Sequence, residues 1–456
     1  MKNSISTLYL YFNRVLTQGH SRTVKAKKNI LASFLIKGGS IAVSLLLVPL
    51  TISYINDVRY GIWLTLSSIV AWFSFFDIGF GHGLRNRFSE SVAKGDFKLA
   101  RKYVSTTYAI LVLIISGVLL LFFFINPFLK WTAILDAPLE MADELRVLAL
   151  VVFVFFCLQF VLKLITTVLT ANQEPAKASF WTFLGSLFSL AIIYVLTKTT
   201  EGSLVYLGTA LSFTPVLVLT CSSFWFYNNS YKRFAPSIKL IDFKLSKDLM
   251  SLGWKFFIIQ IGVLILLSTN NVIITQLFGP AEVTPYNIAY KLFSVITMGF
   301  GIIAAPLWSA YTEAYVKGEM DWIRNILLRM RKIWFLSILL AAIVYFYSPF
   351  LYDIWIGDRV TISSDLSLAM STFVVAYLWH TIYVFFLNGI GKIKLQLYLV
   401  IGSALINIPL AIYLGGRFGL VGITLTGTIL YTIMGVVYFI QTNKLLEGTA
   451  KGIWNQ

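Results

Sequence analysis

The chain has 456 residues, of which 58% are hydrophobic and only 12% charged, with a formal net charge of +17 and a mean hydropathy of +0.79. Soluble domains carry about 25% charged residues, so this chain lacks the polar side chains to clothe one soluble core. Composition therefore excludes a soluble enzyme and leaves an all-α polytopic membrane protein.

Residues 1–28, MKNSISTLYLYFNRVLTQGHSRTVKAKK, read as a cytoplasmic tail, because Asn13 and Arg14 break the apolar stretch and no small-residue cleavage site follows. Apolar blocks then fall at 29–53, 60–81, 103–126, 146–170, 179–197, 204–228, 251–277, 283–310, 333–352, 366–388, 395–414 and 420–442. Each is close to the ~20 residues that cross ~30 Å of hydrocarbon, so twelve transmembrane helices are expected.

Charge orients them. With the N-terminus inside, cytoplasmic segments hold 27 Lys/Arg and outer loops hold 6, with Lys37, Lys163, Lys255 and Lys291 left inside spans. The positive-inside rule then gives an N-in, C-in topology. The basic excess orients the chain in an anionic leaflet, and nucleic acid is not expected as a partner.

The chain also repeats itself. SESVAKGDFKLARK at 89–102 and TEAYVKGEMDWIRN at 312–325 align without gaps, pairing Glu90, Lys94, Gly95, Asp96 and Arg101 with Glu313, Lys317, Gly318, Glu319 and Arg324. NPFLKW at 126–131 pairs with SPFLYD at 348–353. Two six-helix lobes, 29–228 and 251–442, are expected on either side of a cytoplasmic linker at 229–250, with a second tail at 443–456. Both lobes start inside, so the repeats are parallel, an arrangement that in transporters places substrate between the halves.

VPLTISYI at the end of the first span, YGIW opening the second, DIGFGHGLRN at its end and VAKGDFKLARKYVSTT after it together resemble the N-terminal pattern of Wzx-type polysaccharide and O-antigen flippases. These belong to the MATE-like (multidrug/oligosaccharidyl-lipid/polysaccharide) superfamily. The resemblance implies a MATE-like fold in the bacterial inner membrane and translocation of an undecaprenyl-diphosphate-linked oligosaccharide for O-antigen or capsule synthesis. Twelve spans rather than fourteen set the chain apart from the lipid II flippase branch. The partners implied are the lipid-linked sugar, membrane lipids, a polysaccharide polymerase and a coupling ion, proton or sodium.

No catalytic constellation is visible. Cys157 and Cys221 lie in apolar blocks, the three histidines are far apart in sequence, and GIGKIK at 389–394 lacks the Ser/Thr of a P-loop. Neither an enzyme nor a cofactor is expected. The candidate chemistry lies in the spans, where a cation usually faces a cavity or a partner unless it snorkels to the headgroups. Lys37, Lys163 and Lys291 lie ~11–12 Å from a span end at the helical rise. Each sits in a polar stripe: Ser33, Lys37, Ser40, Ser44 and Thr51; Gln159, Lys163, Thr166 or Thr167 and Thr170; Thr284, Asn287, Lys291 and Ser294. The seventh span adds Gln260, Ser268, Asn271 and Thr275.

Such stripes line a hydrated lumen or form interhelical hydrogen bonds. As a lumen they would bind an anionic, sugar-bearing headgroup, with Lys37, Lys163, Lys291, Gln260, Asn271 and Asn287 as substrate-binding residues. At the inner mouth, Asp77, Arg85 and Arg87 in SFFDIGFGHGLRNR form a gate or coupling element, with Asp77 as structural partner or titrating site. The competing readings are an ion-coupled multidrug exporter of the same fold and a membrane-bound polysaccharide polymerase. The first would favour lumen carboxylates and the second a long outer loop; the spans hold four lysines against Asp77, and no long outer loop appears.

Overall fold

The computed structural model describes the backbone of residues 21–73, 79–172, 174–304 and 307–456. Its longer elements are all helices: α1 (Ser21–Ile55), α2 (Asp57–Trp72), α3 (Phe80–Ala93), α4 (Phe97–Ile125), α5 (Ala142–Leu162), α6 (Leu164–Ala171), α7 (Pro175–Thr199), α8 (Leu204–Asn228), α9 (Ser246–Phe278), α10 (Val283–Ala304), α11 (Leu307–Val316), α12 (Met320–Ile356), α13 (Ser364–Ile390) and α14 (Lys394–Leu446). Among the described residues, ten helices are long and apolar enough to cross a membrane. Helices suit this composition because they satisfy their own backbone polar groups without water.

Short polar residues set the boundaries. Asn56, Asp96, Ser203 and Ser363 each precede a helix and accept a backbone N–H from its first turn, at 3.0, 2.8, 3.4 and 3.2 Å. Each satisfies one of the donors that a helix start leaves unpaired. Several helices begin before the apolar blocks do, by the widest margins α1 at Ser21 and α12 at Met320. Their first turns carry the basic residues that the sequence assigns to loops.

The repeat is written in the backbone. After α3, Gly95 takes φ +77° and the N–H of Asp96 reaches the carbonyl of Ser91 at 2.9 Å. After α11, Gly318 takes φ +74° and the N–H of Glu319 reaches the carbonyl of Ala314, also at 2.9 Å. A left-handed glycine closing such a bond ends a helix cleanly. The paired arginines repeat too: Arg101 donates to the carbonyl of Ala235 and Arg324 to that of Leu446, both at 2.7 Å.

The 53 residues of α14 are interrupted by Gly419 at φ 61°, ψ −142°. The chain doubles back there. A Cβ on Gly422 would lie 2.0 Å from the carbonyl O of Leu414, and Gln441 Nε2 donates to the carbonyl of Lys392 at 3.3 Å. The element is therefore an antiparallel hairpin whose two arms meet along their length.

Three buried apolar clusters hold the bundle. One is built from α9 to α14; the other two come from α1 to α8, with Tyr352, Ile356 and Ile288 entering one and Leu249 the other. At the end holding Asn56 and Gly279, the two halves of the chain meet closely. A Cβ on Gly61 would stand 1.7 Å from the carbonyl O of Pro280. Thr284 Oγ1 donates to the carbonyl of Asp57 at 2.7 Å, and the hydroxyls of Thr65 and Thr275 lie 2.7 Å apart. Gln276 Nε2 donates to the carbonyl of Ile134 at 2.8 Å.

At the opposite end, the expected linker is fastened down. Ser237 N–H donates to Ser105 Oγ at 3.0 Å and Asp242 N–H to Thr106 Oγ1 at 2.9 Å. Phe234, fully buried, packs edge-on to Phe88 and Phe97. This part of the chain is docked on α3 and α4, and α9 starts inside the predicted linker, at Ser246.

Candidate functional site

A cavity of about 570 Å³ opens among α2, α3, α4, α5, α6 and α8. Lys163 marks the break between α5 and α6. Its carbonyl accepts the N–H of Thr166 at 2.9 Å and Thr166 Oγ1 at 2.7 Å. An i to i+3 bond of this kind tightens the turn, and Lys163 is exposed there. The predicted stripe then lines the cavity as one face: Gln159, Lys163, Thr166, Thr167 and Thr170. Thr166 and Thr170 spend their hydroxyl protons on backbone carbonyls at 2.7 Å each, so both oxygens are left as acceptors.

Arg85, on α3, comes to the same wall, while Trp63, Phe156 and Phe160 give the cavity apolar and aromatic surface. Among the described residues the lining holds two cations and no carboxylate. Guanidinium offers a planar fork of donors and ammonium a compact point charge. Together they suit a phosphate-bearing anion better than a cation.

The structure brings only part of the predicted site together. Lys37 is exposed on α1 and does not line the cavity. Lys291 is half-buried on α10, where its carbonyl accepts Ser294 Oγ at 2.8 Å. Asn271 and Asn287 lie in the seam between the halves. Asn287 Nδ2 donates to Asn271 Oδ1 at 2.9 Å, and Asn271 Nδ2 donates to Ser68 Oγ at 2.8 Å. This chain of amides ties α10 and α9 to α2. Gln260 is on α9, but its side chain lies outside the described residues, as does Asp77 entirely.

Arg87, two residues beyond Arg85 on α3, is held by carboxylates instead. It bonds Glu90 at 2.9 Å and pairs with Asp248 near the start of α9; Tyr103 OH also donates to Asp248. Hydrogen bonds from Lys94 and Arg87 hold the Glu90 carboxyl below the ordinary carboxylate range. Beneath the pair, Gly83 passes so close to α9 that a Cβ would lie 2.1 Å from the carbonyl O of Leu249. Sequence reading missed Asp248, Tyr103 and Ser68. Their polar character is visible in the sequence, but their partners lie more than a hundred residues away.

Comparison with known proteins places these features in a family context. The family model described as polysaccharide biosynthesis protein matches residues 26–310, and the MatE model matches residues 256–413. A putative O-antigen transporter of Salmonella typhi is 24% identical over 426 residues, spanning 89% of this chain and 93% of its own. A protein of the same description from Salmonella typhimurium is 21% identical over 449 residues, 93% of this chain and 98% of its own. Among solved structures, an inward-facing multidrug resistance MATE transporter superposes with a TM-score of 0.70 at 15% identity, covering 92% of this chain and 95% of that one. The fold is that of the MATE transporters.

Proposed function

This chain belongs to the polysaccharide biosynthesis protein family, and from that premise we propose that it is a flippase for an undecaprenyl-diphosphate-linked oligosaccharide. It is a multi-pass protein of the bacterial inner membrane. The observation that carries the proposal is the cavity wall in which Arg85 and Lys163 stand beside Gln159, Thr166, Thr167 and Thr170, with no carboxylate among the described lining residues. The cations bind the diphosphate, the amide and hydroxyls bond the first sugars, and Trp63 and Phe156 offer faces on which a pyranose ring can pack.

In this reading the chain crosses the membrane twelve times. The ten apolar helices supply eleven crossings once the α14 hairpin is counted as two, and α2 supplies the other. The orientation is N-in and C-in, as the positive-inside rule asks. The cavity then opens toward the cytoplasmic half of the bundle. The amide and hydroxyl seam of Thr65, Thr275, Asn271 and Asn287 closes the outer half. Rocking one six-helix lobe against the other would break that seam and expose the cavity to the far leaflet, with the polyprenyl tail kept in lipid throughout. Lys291 and the seam amides would meet the headgroup on the way out, and a polymerase would take the sugar chain afterwards.

The MatE match favours a second reading, a multidrug exporter of the same fold. Organic cations would favour a carboxylate in the cavity, whereas its described lining offers Arg85 and Lys163. The test is complementation. In a strain lacking this protein, the wild-type chain restores surface polysaccharide, whereas Arg85→Ala/Lys163→Ala, at equal protein level, leaves lipid-linked oligosaccharide on the cytoplasmic face. Full surface polysaccharide from the double variant would overturn the proposal.

A further inference from the structure

The segment between α8 and α9 carries one short pattern twice. Ser237, Ile238, Lys239 and Leu240, and then Asp242, Phe243, Lys244 and Leu245, each run polar, apolar, lysine, leucine. Both copies take the same shape. Ser237 and Asp242 are extended, and each opens a tight turn in which the leucine N–H bonds back to its carbonyl, at 3.0 and 3.1 Å.

The two turns are seated on α4 by neighbouring hydroxyls. Ser237 N–H donates to Ser105 Oγ at 3.0 Å and Asp242 N–H to Thr106 Oγ1 at 2.9 Å, and both side chains of α4 are buried. Just upstream, Arg101 Nε holds the carbonyl of Ala235 at 2.7 Å. This seat fixes the depth of the turns. Lys102 is the last cation of α4, and the helix carries no charge from Thr107 to Ile125. The rise from Ser105 to Ile125 is ~30 Å at 1.5 Å per residue, the thickness of a bilayer's hydrocarbon. Ser105 and Thr106 therefore stand where hydrocarbon meets headgroups. Trp225, 61% exposed near the end of α8, has the character of an interfacial tryptophan on the helix that leads into the segment.

Outward, the turns present a mixed surface. Ile238 is 88% exposed and Phe243 is 54% exposed, and the lysine after each is exposed as well. Bare to water, such apolar area is unfavourable; at the boundary it has hydrocarbon to enter. The carboxylates of the segment are already engaged. Asp242 lies 3.9 Å from Lys102 and accepts the N–H of Lys244 at 3.2 Å, and Asp248 pairs with Arg87. Among the described residues, Lys239 and Lys244 have no carboxylate partner. Lys232, Arg233 and Lys247, exposed on the same segment, add to its positive field.

We propose that residues 237–245 form a two-pronged interfacial anchor that binds anionic phospholipid. Ile238 and Phe243 enter the edge of the hydrocarbon, and Lys239 and Lys244 hold the phosphates of the headgroups beside them. Apolar side chains next to cations select a charged lipid surface over a zwitterionic one. The depth of the turns favours lipid over a soluble protein as the occupant, since their backbone is pinned level with the start of the uncharged run of α4. The second turn ends where α9 begins, so the anchor holds the start of the C-terminal half to the leaflet.

The test uses the full chain in lipid nanodiscs, with a nitroxide at Ile238→Cys, or at Phe243→Cys if the first variant does not fold. The background is Cys221→Ala, in which Cys157 stays buried and unlabelled. The discs are phosphatidylcholine alone or phosphatidylcholine with phosphatidylglycerol, alike in both leaflets, so orientation does not enter. Relaxation by oxygen against relaxation by a water-soluble nickel chelate reads the depth of the label. The proposal expects a label open to oxygen and shielded from nickel, a shift to greater depth with phosphatidylglycerol, and loss of that shift in Lys239→Gln/Lys244→Gln. A label in water in both lipids would mark a surface for a soluble partner and would overturn the proposal. So would a depth that ignores phosphatidylglycerol, or a shift that survives removal of both lysines. No step involves a transported substrate, so the anchor and the flippase reading fail separately.

Discussion

Arg87, near the middle of α3, is ion-paired with Asp248, the third residue of α9, across 161 residues of sequence. The pair joins the helix that carries cavity residue Arg85 to the helix that starts the C-terminal half. Asp248→Asn should loosen this end of the bundle while leaving the cavity intact. Exposed ion pairs contribute ~1 kcal/mol or less, and both partners are partly exposed, at 24% and 37%. We expect a small fall in thermal stability that shrinks with added salt, and recovery in the Arg87→Asp/Asp248→Arg exchange. An unfolding series of the four proteins in detergent measures it.

Glu90 gives the same cluster a pH signature. Its carboxyl is held below the ordinary range by Lys94 first and Arg87 second. A depressed folded value contributes stability above the unfolded value, and that contribution disappears as pH falls through the folded one. The stability difference between the wild type and Glu90→Gln should therefore be present near neutral pH and vanish in acid, below the ordinary carboxylate range of about 4. Melting curves of both proteins across that range check the sign.

The seam between halves should be more sensitive than the Arg87–Asp248 pair. Asn271→Leu removes the acceptor of Asn287 and the donor to Ser68. Hydrogen bonds between membrane helices average ~0.6 kcal/mol, with a maximum of about 1.7. Losing both bonds at once puts this variant near the upper figure, with Asn287 Nδ2 keeping only its bond to the carbonyl of Val283 at 2.8 Å. Asn271→Leu/Asn287→Leu, which removes both amides, should be closer to wild type than the single change. Unfolding by a denaturing detergent compares them.

Glycine substitutions separate close packing from helix propensity. Gly61→Ala forces a Cβ to within 1.7 Å of the Pro280 carbonyl, whereas Gly117→Ala on α4 meets nothing within 4 Å. The first should part the halves and lower the yield of folded protein. The second should be neutral or stabilising by up to about 1 kcal/mol, the propensity gap between the two residues. Yields of monodisperse protein and melting temperatures give the comparison.

The repeat and the membrane class were legible because both rest on long-range regularities of sequence: a constant offset between KGD and KGE, and apolar blocks of bilayer length. The site was legible only in part. The stripe through Gln159, Lys163 and Thr170 became the cavity wall, whereas the equally regular Asn271 and Asn287 became hydrogen bonds between helices. A polar stripe fixes which residues share a helix face, but not whether that face meets water or another helix. Lys37, exposed on α1, shows the same limit. The break at Lys163 and the reversal at Gly419 depend on single residues inside apolar runs, where length and hydropathy give no warning.

The most direct measurement is binding of undecaprenyl diphosphate to the purified protein, wild type against Arg85→Ala/Lys163→Ala, with an organic dication as competitor. If the cavity is an anion site, the double variant loses at least about tenfold in affinity, or ~1.4 kcal/mol, and the dication does not compete. Unchanged affinity in the double variant, or displacement by the dication, would contradict the account.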